Sequence, residues 1–176
     1  LLKLSAAVIV TTVAEPRILS FARKMLPRFG VVEVDRHSPV VLILLNRYRR
    51  MWDLEPGPVS GADWRGLTFD GKIVLVYCEK RIGTVILVEN VCPANNRYGK
   101  LAVYALMVFY RAMYEQGLIT GILCSVLNKN VAMQDALVRV FGDIGEVDKA
   151  GTVPGSRRSS PGKPVPHGLI FKLGAV

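Results

Sequence analysis

Histidine is almost missing from the 176-residue chain, with only His37 and His167, which lie 130 positions apart without a nearby cluster of carboxylates or thiols. No CxxC pair occurs. A metal site therefore has no sequence-level case, and neither has a Ser/His/Asp triad. Cysteine is scarce too. Cys78, Cys92 and Cys124 are odd in number, far apart, and placed within or at the ends of strand-like apolar runs. That usage predicts a reduced, intracellular chain, and a cytoplasmic location is expected. No apolar run approaches the roughly 20 residues a membrane-crossing helix needs, so no membrane partner is expected. Acidic residues are under-represented, 14 against 23 Lys and Arg, for a formal charge of +9. The excess favours anionic partners, whether a phosphorylated cofactor, nucleic acid or an acidic protein surface, and charge alone does not choose among them.

What is present suits one compact domain spanning 1–176. Residues 8–13 are nearly all β-branched and read as a first strand rather than as the apolar centre of a secretory signal. Ile18, Phe21, Ala22 and Met25 recur at helical spacing, which predicts a helix over 16–25 ended by Pro27 and Gly30. A short strand is expected at 31–34. Ser38-Pro39 then opens a second helix as N-cap and first residue, with Val41, Leu44, Leu45, Tyr48 and Trp52 on one face and Arg47, Arg49 and Arg50 near its end.

After a Pro/Gly-rich loop at 55–61, three β-rich runs follow, at 64–69, 73–78 and 84–91. Asp70-Gly71 joins the first two as a hairpin signal, and 80–83 is read as the second loop, so an antiparallel meander is expected. A polar turn at 93–99 precedes a helix over 100–116 that Gly117 stops. Then come a strand at 119–127, a helix at 131–141 closed by Gly142, and strands at 144–147 and 169–173. Residues 149–167, rich in Gly, Pro, Ser and cations, read as a flexible basic loop. The fold class expected is α/β with a mixed α+β sheet: an antiparallel meander followed by a βαβ crossover, with helices on both faces.

Two local features carry chemistry. The first is Val91-Cys92-Pro93-Ala94-Asn95-Asn96-Arg97-Tyr98-Gly99-Lys100-Leu101-Ala102, a strand end running into a helix start. The first amides of a helix lack intrahelical partners and carry partial positive charge, so such a junction suits a diphosphate. Arg97 and Lys100 add cations at the same mouth, and Gly99 permits close approach of the main chain. The second feature is Asn128-Lys129-Asn130 ahead of a helix ending Phe141-Gly142.

Together with the element order, these residues resemble the GNAT superfamily of acyl-CoA N-acyltransferases. The likeness rests in detail on residues 84–142. Val91, Pro93 and Gly99 match that family's Val-x-Pro-x-x-Arg/Gln-x-x-Gly-x-Gly/Ala pattern in register, whereas Asn96 replaces Arg or Gln and Leu101 replaces a small residue. The resemblance implies an acyl-CoA such as acetyl-CoA held by Val91, Cys92, Asn96, Arg97, Tyr98, Gly99, Lys100, Leu101, Asn128 and Asn130, and an amine as acceptor. It implies a strand that splays from its neighbour near 89–92, and amides at Val91 and Cys92 that stabilise an oxyanion. The family's proton-donating Tyr falls at Val138, so Tyr98 is the substitute acid. Glu89, the only carboxylate in its strand, is the candidate base, its direction depending on a bulge. Cys92 is read chiefly as a small buried hydrophobe. The alternatives are a catalytically inactive protein that keeps the fold to bind a partner, and a nucleic-acid binder on charge.

Overall fold

The computed structural model describes residues 17–54, 56–127, 130–142, 146–148 and 167–173. The expected strand at 8–13 and most of the basic loop at 149–167 lie outside them. Seven strands form one sheet in the order β1-β2-β3-β4-β5-β7-β6: β1 Phe29–Glu33, β2 Asp63–Phe69, β3 Lys72–Ile82, β4 Val85–Pro93, β5 Gly121–Leu127, β6 Glu146–Asp148 and β7 His167–Leu173. All neighbours are antiparallel except β4 and β5. That parallel pair is bridged by a helix, which is the expected βαβ crossover.

The helices are α1 Arg17–Met25, α2 Pro39–Met51, α3 Asn96–Glu115 and α4 Val131–Phe141. They cover both faces of the sheet. Leu19 and Ala22 of α1, the inner residues of α3, and Ala136, Leu137, Val140 and Phe141 of α4 pack with Leu67, Leu75, Tyr77, Ile86, Val88 and Ile122 on one face. On the other, Val41, Leu44 and Leu45 of α2 pack with Trp64, Val76, Cys78 and Cys92. Among the described residues no helix is long and apolar enough to cross a membrane.

Turn chemistry decides the meander. Asp70 (φ 49°) and Gly71 (φ 79°) are both left-handed between the paired Phe69 and Lys72, the conformation a two-residue hairpin favours. The next hairpin is tighter than expected. Lys80, Arg81 and Ile82 belong to β3, paired with Leu87, Ile86 and Val85, and the turn shrinks to Gly83-Thr84 with Gly83 at φ 63°. Cross-strand pairing outweighs the charge that made 80–83 read as loop.

Other boundaries shift for local reasons. Gly30 lies inside β1 rather than ending α1, which stops at Met25 before a 3₁₀ turn over Leu26–Arg28. Ser38 is the N-cap of α2 by backbone, with Pro39 first in the helix, yet its hydroxyl makes no capping hydrogen bond. Gly142 caps α4 in right-handed conformation (φ −63°) and not the left-handed one typical of glycine.

Two polar clamps hold α3 in place. Tyr110 donates its hydroxyl hydrogen to Glu79 Oε2 at 2.7 Å, and Arg81 Nε donates to Glu79 Oε1 at 3.1 Å, so the buried carboxylate is paired on both oxygens. Buried Arg111 donates to Glu115 Oε1 (2.7 Å) and to the Val140 carbonyl (2.5 Å), satisfying an end carbonyl of α4.

The end of α3 follows the expectation. Leu118 N–H reaches the Met113 carbonyl at 2.9 Å and Gly117 N–H that of Tyr114 at 3.0 Å, the paired bonds of a Schellman cap, with Gly117 left-handed (φ 70°). A Cβ at Gly117 meets nothing within 4 Å, so Gly117→Ala tests backbone conformation alone. It is expected to cost about 1 kcal/mol, read as a lower urea midpoint at unchanged slope.

Candidate functional site

Strands β4 and β5 part company halfway. They pair from Val85 with Gly121 to Val88 with Cys124, and no further. β4 continues to Pro93 along β3, while β5 continues to Leu127 along β7. The result is a wedge open on residues 89–93, as the resemblance implied. Its main-chain donors follow from the ladder with β3. Ala94 N–H donates to the Val74 carbonyl at 2.8 Å. Alternation from that pair turns the Cys92 N–H toward Val76 of β3 and the Val91 N–H away from β3, into the wedge. Pro93 has no N–H. Of the two amides expected at an oxyanion, Val91 therefore faces the opening and Cys92 is committed to the sheet.

The ladder also carries a bulge. Val76 pairs with Cys92 but Cys78 pairs with Glu89, so β4 spends one residue more than β3. The extra residue is Asn90, held left-handed at φ 49°. Its consequence is a change of face. Ile86 and Val88 lie in the core beneath α3, Leu87 packs with Leu123 in a separate cluster, and past the bulge Val91 contacts the α3 core while Cys92 joins the α2 core. Glu89 thus follows Leu87 onto the face opposite α3 and no longer shares a face with Val91, as unbroken alternation would have it. Glu89 is half-buried, and desolvation raises its pKa above the ordinary carboxylate value against the opposing pull of Lys80.

All three cysteines meet this segment. Cys124 Sγ donates to the Val88 carbonyl (3.5 Å), Cys78 Sγ to that of Glu89 (3.4 Å) and Cys92 Sγ to that of Asn90 (3.0 Å). Asn90 Nδ2 donates to Cys78 Sγ at 3.2 Å. Three successive carbonyls thereby receive thiol donors. Burial pushes the Cys78 and Cys124 thiols up to about 12, and Cys92 higher still. Cys92 is 1% exposed. It is a packed donor and not a nucleophile.

The helix end beside the wedge starts one turn earlier than expected. α3 begins at Asn96, so Asn96, Arg97, Tyr98 and Gly99 form its first turn and supply the four amides without intrahelical partners. The side chains of Asn96, Arg97 and Tyr98 are not described, and Asn128 lies outside the described residues. Gly99 is buried against the strand, since a Cβ there would stand 3.0 Å from Pro93 Cβ. Its smallness thus serves the close seating of α3 on β4. Lys100 is exposed. Leu101, the departure from the family pattern, is partly buried and packs against the α3 core, so it does not plug the helix mouth.

Asn130 serves α4 as its N-cap, Oδ1 accepting the Met133 N–H at 3.2 Å. Val138 is 47% exposed on α4 and has no proton to give.

Helix α2 packs on the other face, over β2, β3 and the end of β4. Arg47 Nη1 donates to the Ala94 carbonyl at 2.9 Å, tying α2 to the β4–α3 junction. Arg49 donates to the Gly57 (2.7 Å) and Pro58 (3.0 Å) carbonyls and shapes the loop before β2. Tyr48 packs on the Cys78 and Cys92 cluster, where burial and then the neighbouring thiols of Cys92, Cys124 and Cys78 raise its pKa. Sequence reasoning placed Tyr48 and Arg47 only on helix faces and overlooked Asn90. The one signal for Asn90 was its residue type, since Asn tolerates left-handed backbone better than most.

No family model matches the chain, and no curated protein does. Solved structures do. An acetyltransferase of the GNAT family from Staphylococcus aureus Mu50 is 14% identical with TM-score 0.55, the likeness covering 82% of this chain and 98% of that one. An acetyltransferase from Streptococcus agalactiae 2603 is 9% identical with TM-score 0.51, covering 84% and 99%. The chain has the GNAT fold, as its element order implied.

Two outcomes check this geometry. With thiol pKa values raised, thiolate is scarce near neutrality, so a disulfide reagent at pH 8 should label the cysteines far more slowly in the folded than in the urea-unfolded protein. Labelling of any one at the rate of a free thiol contradicts the packing described. Asn130→Ala should cost about 1 kcal/mol of stability, seen as a lowered denaturation midpoint.

Proposed function

We propose that the protein is an acyl-CoA-dependent N-acyltransferase, moving an acetyl or other acyl group to a primary amine by direct attack. The observation that carries this reading is the wedge between β4 and β5, with the Val91 N–H directed into it and the open amides of α3 at its edge. The residues present suit an acyl-CoA. The helix mouth is clear of Leu101 and has Lys100 exposed beside it for a diphosphate. The thioester, when bound, supplies an activated acyl carbon.

Each role then falls to a group of this chain. Val91 N–H is the donor for the thioester oxygen as it becomes negative. Glu89 is the base: its raised pKa brings it nearer the range where a carboxylate takes a proton from an ammonium or amine, directly or through water. The nitrogen lone pair forms the C–N bond, the C–S bond breaks, and the departing thiolate takes a proton, for which Tyr98 in the first turn of α3 is the proposed source. Arg97, Asn96 and Lys100 stand for contacts to the diphosphate. The thiols are no covalent way-station, because all three are buried donors with raised pKa values.

Calorimetric titration with acetyl-CoA should give saturable binding, and thiol release should be seen with at least one amine in a mixed panel. Glu89→Gln should lower kcat about 100-fold, at the low end for loss of a general base, with acetyl-CoA binding kept. The wild-type rate should fall as pH drops through the raised Glu89 pKa, because only the ionised carboxylate accepts a proton. Absence of both heat and protection against thermal unfolding at saturating acetyl-CoA overturns the reading.

A further inference from the structure

We infer that Asn90 is the positioning residue of the site: its left-handed backbone is what turns Glu89 off the α3 face and onto the α2 face beside the wedge. This rests on the acyl-transfer reading above and on Glu89 as its base.

Side chains alternate along a strand, so one residue gained or lost exchanges the two faces. If β4 kept the register that pairs Val76 with Cys92, position 90 would oppose Cys78, and Glu89 would lie on the face of Val91, beneath α3. That face is the main apolar core, where a carboxylate without a partner is strongly disfavoured. The single extra residue at Asn90 moves Glu89 to the α2 face, beside Cys78 and Lys80, and lets Val88 take the core position.

The conformation needed is a left-handed one (φ 49°), which a β-branched residue resists and Asn tolerates. The side chain adds a lock, Asn90 Nδ2 donating to Cys78 Sγ at 3.2 Å while Cys78 Sγ reaches the Glu89 carbonyl at 3.4 Å. Cys92 Sγ on the Asn90 carbonyl and Cys124 Sγ on the Val88 carbonyl close both sides of the bulge. Glu89 is thus bracketed by three thiol contacts on its own and the two adjoining carbonyls, with Asn90 at the hinge.

Three substitutions separate aim from stability. Asn90→Gly keeps the left-handed backbone and removes the amide. Asn90→Val opposes the backbone itself, and Asn90→Ala does so more mildly, serving where the Val variant does not fold. The readouts are kcat and KM for acetyl-CoA, the pH profile of kcat/KM, and native thiol labelling. For Asn90→Val or Asn90→Ala, kcat should drop about 100-fold, the scale of a misplaced catalytic group, with KM for acetyl-CoA nearly unchanged. The acid limb of the profile should move to lower pH as Glu89 gains solvent, and Cys78 should label faster. Asn90→Gly should keep the limb where it is in the wild type.

A limb that stays put in the Val and Ala variants, or one that moves equally in the Gly variant, overturns the inference while leaving acyl transfer intact. A wild-type enzyme whose rate and profile are unaffected by Glu89→Gln removes the base assignment and the inference together.

Discussion

Strand β4 holds to β3 along its whole length and to β5 along only half of it, and the rest of the site depends on how that second half is kept from pairing. An open strand edge inside a sheet is normally closed by its neighbour, because unpaired main-chain groups are costly when buried. Here β5 keeps β7 on its other edge from Ile122 to Leu127, while its edge toward β4 opens after Cys124. The bulge at Asn90 then spoils the regular spacing a zipped pair would need. The carbonyls of Val88, Glu89 and Asn90, where the ladder becomes irregular, each receive a thiol donor.

That arrangement gives the cysteines a role their sparseness hid. A thiol is a weak donor, which makes it suited to a carbonyl that needs a partner at an irregular angle without a full charge nearby. Cys78, Cys92 and Cys124 come from three different strands and converge on three consecutive peptide groups. Their burial keeps them protonated and therefore donors. Burial likewise lifts the Glu89 and Tyr48 pKa values, so desolvation acts on the thiols, the carboxylate and the phenol alike.

The positive charge of the chain acts locally through geometry. Arg47 and Arg49 bind main-chain carbonyls at the β4–α3 junction and in the loop before β2, fixing α2 on the sheet. Arg28 pairs with Asp70 and lies 4.3 Å from the Phe69 ring centroid, stabilising the first hairpin. These three cations thus hold loops and helices in position.

Local chemistry was legible wherever neighbours in sequence decide the outcome. Asp70-Gly71 dictated a tight hairpin and Gly117 a helix stop, because each depends on backbone preference within a few residues. Apolar periodicity marked α1 and α2, β-rich runs marked the meander, and element order sufficed for the fold. Lys80 to Ile82 misled because their charge spoke for a loop while pairing with β4 prevailed. Only the tertiary structure decided which way Glu89 points, which amide faces the wedge and what the thiols touch. Those answers hang on register between strands distant in sequence, and a single inserted residue reverses them without altering composition or local propensity.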